Sequence, residues 1–290
     1  RLTIVQTEKD RLLATLKNIY ATLPGYNSPP KFELIDIAKV TPGALPSVAA
    51  NLHTSIGERL AFLGLYGEAA PEFEASRPAP ISGDLGYTIA IMNMRGDRGY
   101  KAVAFAEPLW RSVPADYQIE LIASDQIGLL YPTPYRAAFG KFAVPRNVDP
   151  RFLLSIVRQE SRYRPDIKSN AAARGMLQFI STTSNKVAAG LGRNGLDQDE
   201  LYSPSTAILF GSQYTADLFR LFPGQPHAVA GSYNGGEDNI RRWINRSRSD
   251  SPDRYVPEIA FSQTKDYVYK VMANYRIYQM FYNNDLSSAR

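Results

Sequence analysis

The chain contains no cysteine, which excludes disulfides, thiol nucleophiles and cysteine-held metal. Its 290 residues include two histidines, His53 and His227, and neither has ligand-spaced neighbours. A zinc site or a Ser-His-Asp triad therefore has little material to draw on, and we expect no metal and no cofactor. No apolar run approaches the length that crosses a bilayer. No basic block is long enough for a nucleic-acid tail. Arg241-Arg242 and the arginines of Arg246–Arg248 form a short cluster that reads as a solvated helix face. Val, Ile and Thr never build a sustained alternating run, which argues against a sheet. The absence of cysteine suits an envelope protein that folds without oxidation, and equally suits the cytosol.

What is present describes an ordinary folded chain, 44% hydrophobic and 21% charged, long enough for two domains. A net charge of +5 suits an anionic polymer, either nucleic acid or a cell-wall glycan with acidic peptides. The chain opens on Arg1 rather than an initiator methionine, so its N-terminus reads as a processed boundary and a signal peptide is expected to lie outside this stretch.

Periodicity predicts a mainly α chain. Residues 1–130 read as helices joined by short turns. Lys9–Leu23 stops at Pro24-Gly25, Gly57–Leu65 pairs with Glu68–Ala75, Tyr87–Met94 pairs with Tyr100–Trp110, and Asp116–Gly128 forms one more helix. The turn glycines of the two pairs lie about 30 residues apart, as in stacked helix hairpins. Gly43–Pro46 and Arg77–Gly83 read as connectors. Tyr131-Pro132-Thr133-Pro134-Tyr135 marks the boundary to a second domain over 131–290. There, helices are expected over Ala137–Phe142, from Pro150 through Glu160, and over Ser181–Gly190, Pro204–Arg220, Ala228–Tyr233, Asp238–Ile244 and Lys265–Tyr282. At most a small hairpin is expected near Asp166–Ala172. Gly190-Leu191-Gly192-Arg193-Asn194-Gly195 has the spacing of a dinucleotide fingerprint but follows a helix, so it reads as a loop.

Glu160 stands out. Asp149-Pro150 is a helix start with a capping carboxylate and a first-turn proline. Phe152, Leu153, Ile156 and Val157 share one face, and Glu160 continues it. A carboxyl on an apolar stripe near a helix C-terminus has its pKa pushed up by desolvation and by the helix dipole, toward what a general acid needs near neutrality. The alternative is a buried carboxylate paired with Arg162 or Arg174.

Four segments extend this observation: Arg158-Gln159-Glu160-Ser161 through Pro165; Ser169-Asn170-Ala171-Ala172-Ala173-Arg174-Gly175-Met176-Leu177-Gln178; Ser232-Tyr233-Asn234-Gly235-Gly236; and Gln263-Thr264-Lys265-Asp266-Tyr267-Val268. Together and in this order they resemble the catalytic domain of the soluble family 1 lytic transglycosylases, which cleave the glycan strands of bacterial peptidoglycan. The resemblance covers about 131–282, and the helical part before it is similar to the superhelical domain of the larger members. It implies an all-α, lysozyme-like catalytic domain, with Glu160 as the single acid/base. It also implies that Ser169 and Gln178 line the cleft, that Tyr233 sits beside the carboxyl, and that Asn234 follows it. Gln263 and Tyr267 are assigned to substrate binding on the same basis.

The chain departs from the family's pattern at several points. Ala172 stands where glycine is usual, Met176-Leu177 inverts the usual order, Gly235-Gly236 replaces Ala-Gly, and Gln263-Thr264-Lys265 replaces Glu-Thr-Arg. Tyr269, Tyr275 and Tyr278 share the last helix with Tyr267 and read as packing residues. Gly175 and Gly235 are expected at turns with unusual backbone angles.

The implied reaction is cleavage of the N-acetylmuramic acid–N-acetylglucosamine bond with formation of a 1,6-anhydromuramoyl end. The implied setting is the periplasm or cell envelope, with association to the outer membrane or cell wall and no nucleic acid. Two other readings stay open: a lysozyme- or chitinase-like hydrolase in which Asp166 or another acid activates water, and a non-enzymatic scaffold that grips peptidoglycan.

Overall fold

The computed structural model describes residues 2–23, 34, 48–76, 81, 83–111, 113, 117–193 and 195–289. The Pro24-Gly25 stop, the Gly43–Pro46 connector, most of the Arg77–Gly83 connector, Asp116 and Asn194 lie outside these residues. The described chain is helical, with isolated β-bridges and no strand. It divides into two compact units, 1–132 and 133–290. Among the described residues no helix is long and apolar enough to cross a membrane.

The first unit holds α1 (Leu2–Thr22), α2 (Val48–Phe62), α3 (Tyr66–Ala75), α4 (Gly83–Arg95), α5 (Gly99–Leu109) and α6 (Ser124–Leu130). Hairpins α2–α3 and α4–α5 stack. Ala61, Ala69, Ala70 and Phe73 of the first meet Ile89 and Met92 of the second in one apolar cluster. A second cluster joins Tyr87 and Ala90 to Ala106, Leu109 and Leu129. The small residues permit this approach: a Cβ on Gly96 would lie 2.6 Å from the backbone of Gly67. The two turn glycines singled out by their spacing therefore touch. His53 is tied to Glu72 (2.6 Å), linking α2 to α3.

The helix expected over Asp116–Gly128 is broken. A 3-10 turn covers Ile119–Leu121, Ile122 and Ala123 are extended, and α6 begins at Ser124. Extended backbone at two successive residues cannot carry the i to i−4 ladder, whatever the side-chain pattern suggests.

The second unit holds α7 (Arg136–Phe142), α8 (Pro150–Ser161), α9 (Ser181–Gly190), α10 (Pro204–Leu221), α11 (Pro226–Gly235), α12 (Glu237–Ser247), α13 (Pro252–Glu258) and α14 (Ser262–Phe281). α8 is central. Phe152, Leu153, Leu154, Ile156 and Val157 are all fully buried, each stabilising the fold by about 1.5–3 kcal/mol relative to exposure. Phe152 meets Phe219 of α10 and Tyr275 of α14 edge-on, at 5.3 and 5.2 Å. Asp149 fixes the start of α8. It accepts from the Arg151 amide (2.9 Å) and from the Tyr275 hydroxyl (2.9 Å), so α14 is pinned to the helix N-terminus.

The short α13 was not legible in the sequence, because two of its seven residues, Pro252 and Pro257, are prolines that interrupt a helical pattern. The hairpin expected near Asp166–Ala172 reduces to antiparallel bridges of Arg174 with Lys168 and with Phe179.

Candidate active site

α8 ends immediately after Glu160. Arg162 and Tyr163 take left-handed backbone (φ 48° and 67°) and Pro165 follows, so the chain turns away. The Ser161 hydroxyl donates to the Met176 carbonyl (2.8 Å), tying this end of the helix to the 166–180 loop. That loop is closed by its own backbone. Ser169 donates to Ala173 O, Gly175 to Ile167 O, and Arg174 and Phe179 exchange two bonds, all between 2.9 and 3.1 Å. A compact loop on the end of a buried helix fixes Ser169 and Gln178 against Glu160.

These elements enclose a cavity of about 380 Å³ lined by Glu160, Ser169, Gln178, Tyr233, Asn234 and Gln263 together with Phe179, Ile180, Thr183 and Tyr214. Six of the seven residues singled out from sequence are thus brought together. The seventh, Tyr267, lies beneath the cavity wall and donates its hydroxyl to Glu160 Oε1 (2.6 Å). Glu160 itself lines the cavity, and no hydrogen bond to Oε2 is found among the described residues.

Burial pushes the Glu160 carboxyl up to about 7, and the bond from Tyr267 opposes part of that shift. No cation among the described residues moderates it. Arg174 pairs with Asp199 (3.0 Å), and Arg162 is solvent-exposed, which removes the ion-pair reading of Glu160. Tyr233 and Tyr267 are held far above the usual phenol range by burial and stay protonated donors.

Tyr233 lies beside the carboxyl as the resemblance implies, and its hydroxyl donates to Leu177 O (2.9 Å). Orientation of the carboxyl falls to Tyr267. Of the other α14 tyrosines, Tyr275 caps Asp149, Tyr278 meets Tyr163 in the core, and Tyr269 is exposed. Gln178 spends its amide NH2 on Gly175 O (2.8 Å), which leaves its carbonyl oxygen for the cavity. Asn234 Oδ1 accepts from Thr264 (2.8 Å), which leaves its NH2. Asp166 does not line the cavity. It is mostly exposed and lies 3.6 Å from Arg164.

Sequence reasoning missed Phe179, Tyr214 and Thr183. Phe179 stacks edge-on with Tyr214 and Tyr233, so the cavity has an aromatic wall. Tyr214 sits in a helical stripe that reads as core, and no local signal separates a wall tyrosine from a packed one.

The departures now have physical readings. Gly235 is helical and does not need unusual angles. Its Cβ would lie 2.8 Å from Thr264 Cγ2, and the positive φ belongs to Gly236 (85°). Lys265 donates to Pro257 O (2.6 Å), so its charge is spent outside the cavity, whereas Gln263 reaches the rim. Ala172 has φ 58°, where a Cβ is strained. Ala172→Gly is therefore expected to stabilise the protein by about 0.5–1 kcal/mol, read as a raised urea midpoint with an unchanged slope.

Residues 138–256 match the family described as the transglycosylase SLT domain. The chain is 28% identical over 177 residues to a putative soluble lytic murein transglycosylase of Haemophilus influenzae, covering 61% of this chain and 30% of that protein. It is 27% identical over 160 residues to the soluble lytic murein transglycosylase of Escherichia coli K12, covering 54% and 25%. This chain thus matches less than a third of the length of either relative. In fold it is similar to the 70 kDa soluble lytic transglycosylase of Escherichia coli (TM-score 0.64, 19% identity, 99% of this chain and 46% of that one). It is also similar to an inactive Glu-to-Gln mutant of a lytic transglycosylase from Pseudomonas aeruginosa (TM-score 0.59, 21% identity, 79% and 35%).

Proposed function

We propose that this chain is a lytic transglycosylase of the soluble family 1 kind, and that residues 131–290 form a catalytic domain cleaving the N-acetylmuramic acid–N-acetylglucosamine bond of peptidoglycan; the match of residues 138–256 to the transglycosylase SLT domain and the similarity to soluble lytic murein transglycosylases support this. Residues 1–130 form the accompanying superhelical domain, and the setting is the periplasm. Protonated Glu160 donates from Oε2 to the bridging oxygen as the C1–O bond breaks. The substrate's 2-acetamido group supports the positive charge at C1, an exception to the two-carboxylate rule of glycoside hydrolysis. The Glu160 carboxylate then takes the proton of the same sugar's C6 hydroxyl, whose oxygen closes on C1. The product is a 1,6-anhydromuramoyl end, no water is consumed, and Glu160 is protonated again. Tyr267 bonds more strongly to the carboxylate than to the acid, so it favours the intermediate state. Gln178, Ser169, Asn234 and Gln263 offer hydroxyl and amide groups to the glycan, with Tyr233 in the cavity wall.

The observation that carries this reading is that, among the described residues, Glu160 is the one carboxyl lining the cavity. A hydrolase of the usual kind needs a second. Mass spectrometry of muropeptides released from sacculi tests it: anhydro ends are expected, reducing ends would make the protein a hydrolase, and no release would make it a scaffold. Because the acid form starts the reaction, kcat/KM is expected to fall about tenfold per pH unit above about 7. In Tyr267→Phe that limb moves to higher pH, since the bond that lowers the pKa is gone.

A further inference from the structure

We infer that Thr264, which does not itself line the cavity, is a positioning residue that fixes Asn234 as a hydrogen-bond donor, so that this point of the cleft takes an acceptor oxygen of the glycan. This rests on the glycan reading above. Asn234 lies in the last turn of α11 and lines the cavity with an exposed side chain. An exposed asparagine turns easily about its terminal torsion and can present either its carbonyl or its NH2. Here one bond removes that choice. The Thr264 hydroxyl donates to Asn234 Oδ1 (2.8 Å), and among the described residues no other side-chain bond holds Asn234. With the oxygen engaged, the amide N–H donors are what Asn234 offers to a ligand.

Thr264 suits that task. It is 3% exposed, so water does not compete for its hydroxyl. It is β-branched and sits in the first turn of α14, where its χ1 is restricted. Gly235 admits it: a Cβ there would lie 2.8 Å from Thr264 Cγ2 and 2.9 Å from Oγ1. Three residues further along the same helix face, Tyr267 donates to Glu160 (2.6 Å). Successive turns of α14 thus aim two buried hydroxyls at two groups of the site, one at the carboxyl and one at an amide. Gln178 is fixed in the opposite sense, since its NH2 is bound to Gly175 O (2.8 Å). The cavity therefore presents one amide as an acceptor and another as a donor, each held by a bond within the protein. A glycan of N-acetylated sugars supplies the matching acceptor at its acetamido carbonyls.

The test is the rate of anhydromuropeptide release across a range of sacculus concentrations, for the wild type, Thr264→Val, Thr264→Ser, Asn234→Ala and the Thr264→Val/Asn234→Ala double variant. Valine keeps the shape of threonine and loses the donor. Freeing the Asn234 side chain is expected to raise KM about threefold or more, with kcat changed by less than about twofold. Serine restores the donor and is expected to recover most of that loss. Asn234→Ala is expected to raise KM about tenfold, and the double variant should be no worse than Asn234→Ala alone. A wild-type KM in Thr264→Val, a serine variant as impaired as the valine one, a loss confined to kcat, or losses that multiply in the double variant would each overturn the inference. Sedimentation of the same proteins with sacculi reads the same order of affinities without turnover. A wild type that binds sacculi but releases no anhydro end overturns the transglycosylase reading and leaves the Thr264 pattern readable, whereas one that does not bind overturns both.

Discussion

Glu160→Gln is expected to lower the release of anhydromuropeptides from sacculi by about a thousandfold or more, because one group serves as both acid and base and the amide can do neither. The fold should survive. The amide oxygen can still accept from Tyr267, the volume is unchanged, and the buried face of α8 is untouched. The same substitution is expected to raise stability at neutral pH. The folded pKa of Glu160 lies near 7 against an ordinary 4.5. Below 4.5 the carboxyl is protonated in both states and contributes no difference. Between 4.5 and 7 the unfolded chain ionises first, so stability falls as pH rises, to a total of about 3 kcal/mol. Gln carries no charge to desolvate. The variant should therefore match the wild type near pH 4 and exceed it at pH 8 in denaturant unfolding. Parallel stability curves across that range would show that the carboxyl is not sheltered, and wild-type turnover would remove Glu160 from the reaction.

Gly175→Ala is expected to destabilise the second unit by more than about 3 kcal/mol. Two costs add. Gly175 has φ 73°, where a Cβ costs about 1–2 kcal/mol. That Cβ would also lie 2.0 Å from the Leu201 carbonyl oxygen, which is backbone and cannot swing aside. The neighbouring 3-10 turn over Gln198–Tyr202 is anchored by the reciprocal capping of Asp197 and Glu200, which resists relief. Gly192→Ala separates the two costs: its φ is 69° with nothing within 4 Å, so it should lose about 1 kcal/mol. Equal losses in the two variants would show that the approach to Leu201 is unimportant. Because Gly175 O accepts from both the backbone and the side chain of Gln178, activity should drop along with stability.

Much of the fold was legible where local rules are strong. Asp149-Pro150 predicts the start of α8, and Pro204 begins the expected long helix that ends near Arg220. Legibility failed where packing overrides pattern. Ile122-Ala123 interrupts a continuous helical signal, and α13 forms despite its two prolines because Tyr255 and Val256 are buried.

The site divides along the same line. Glu160, Ser169, Gln178, Tyr233, Asn234 and Gln263 carried motif signals and are found in one cavity. Tyr267 was singled out, yet its bond to Glu160 spans 107 residues of sequence, as the bond from Tyr233 to Leu177 spans 56. No local pattern encodes which of two tyrosines reaches a carboxyl.

By itself the sequence determined the residue types available for chemistry. Without cysteine or clustered histidine, and with an acid on the apolar face of a capped helix, it left carboxyl-based catalysis as the chemistry best supplied. Only the tertiary structure decided that Glu160 has Tyr267 and no arginine beside it, that Asp166 stays in solvent, and that Thr264 meets Asn234. Those outcomes depend on distances between elements far apart in the chain, and burial, which sets the energy of a charge, exists only once they have packed.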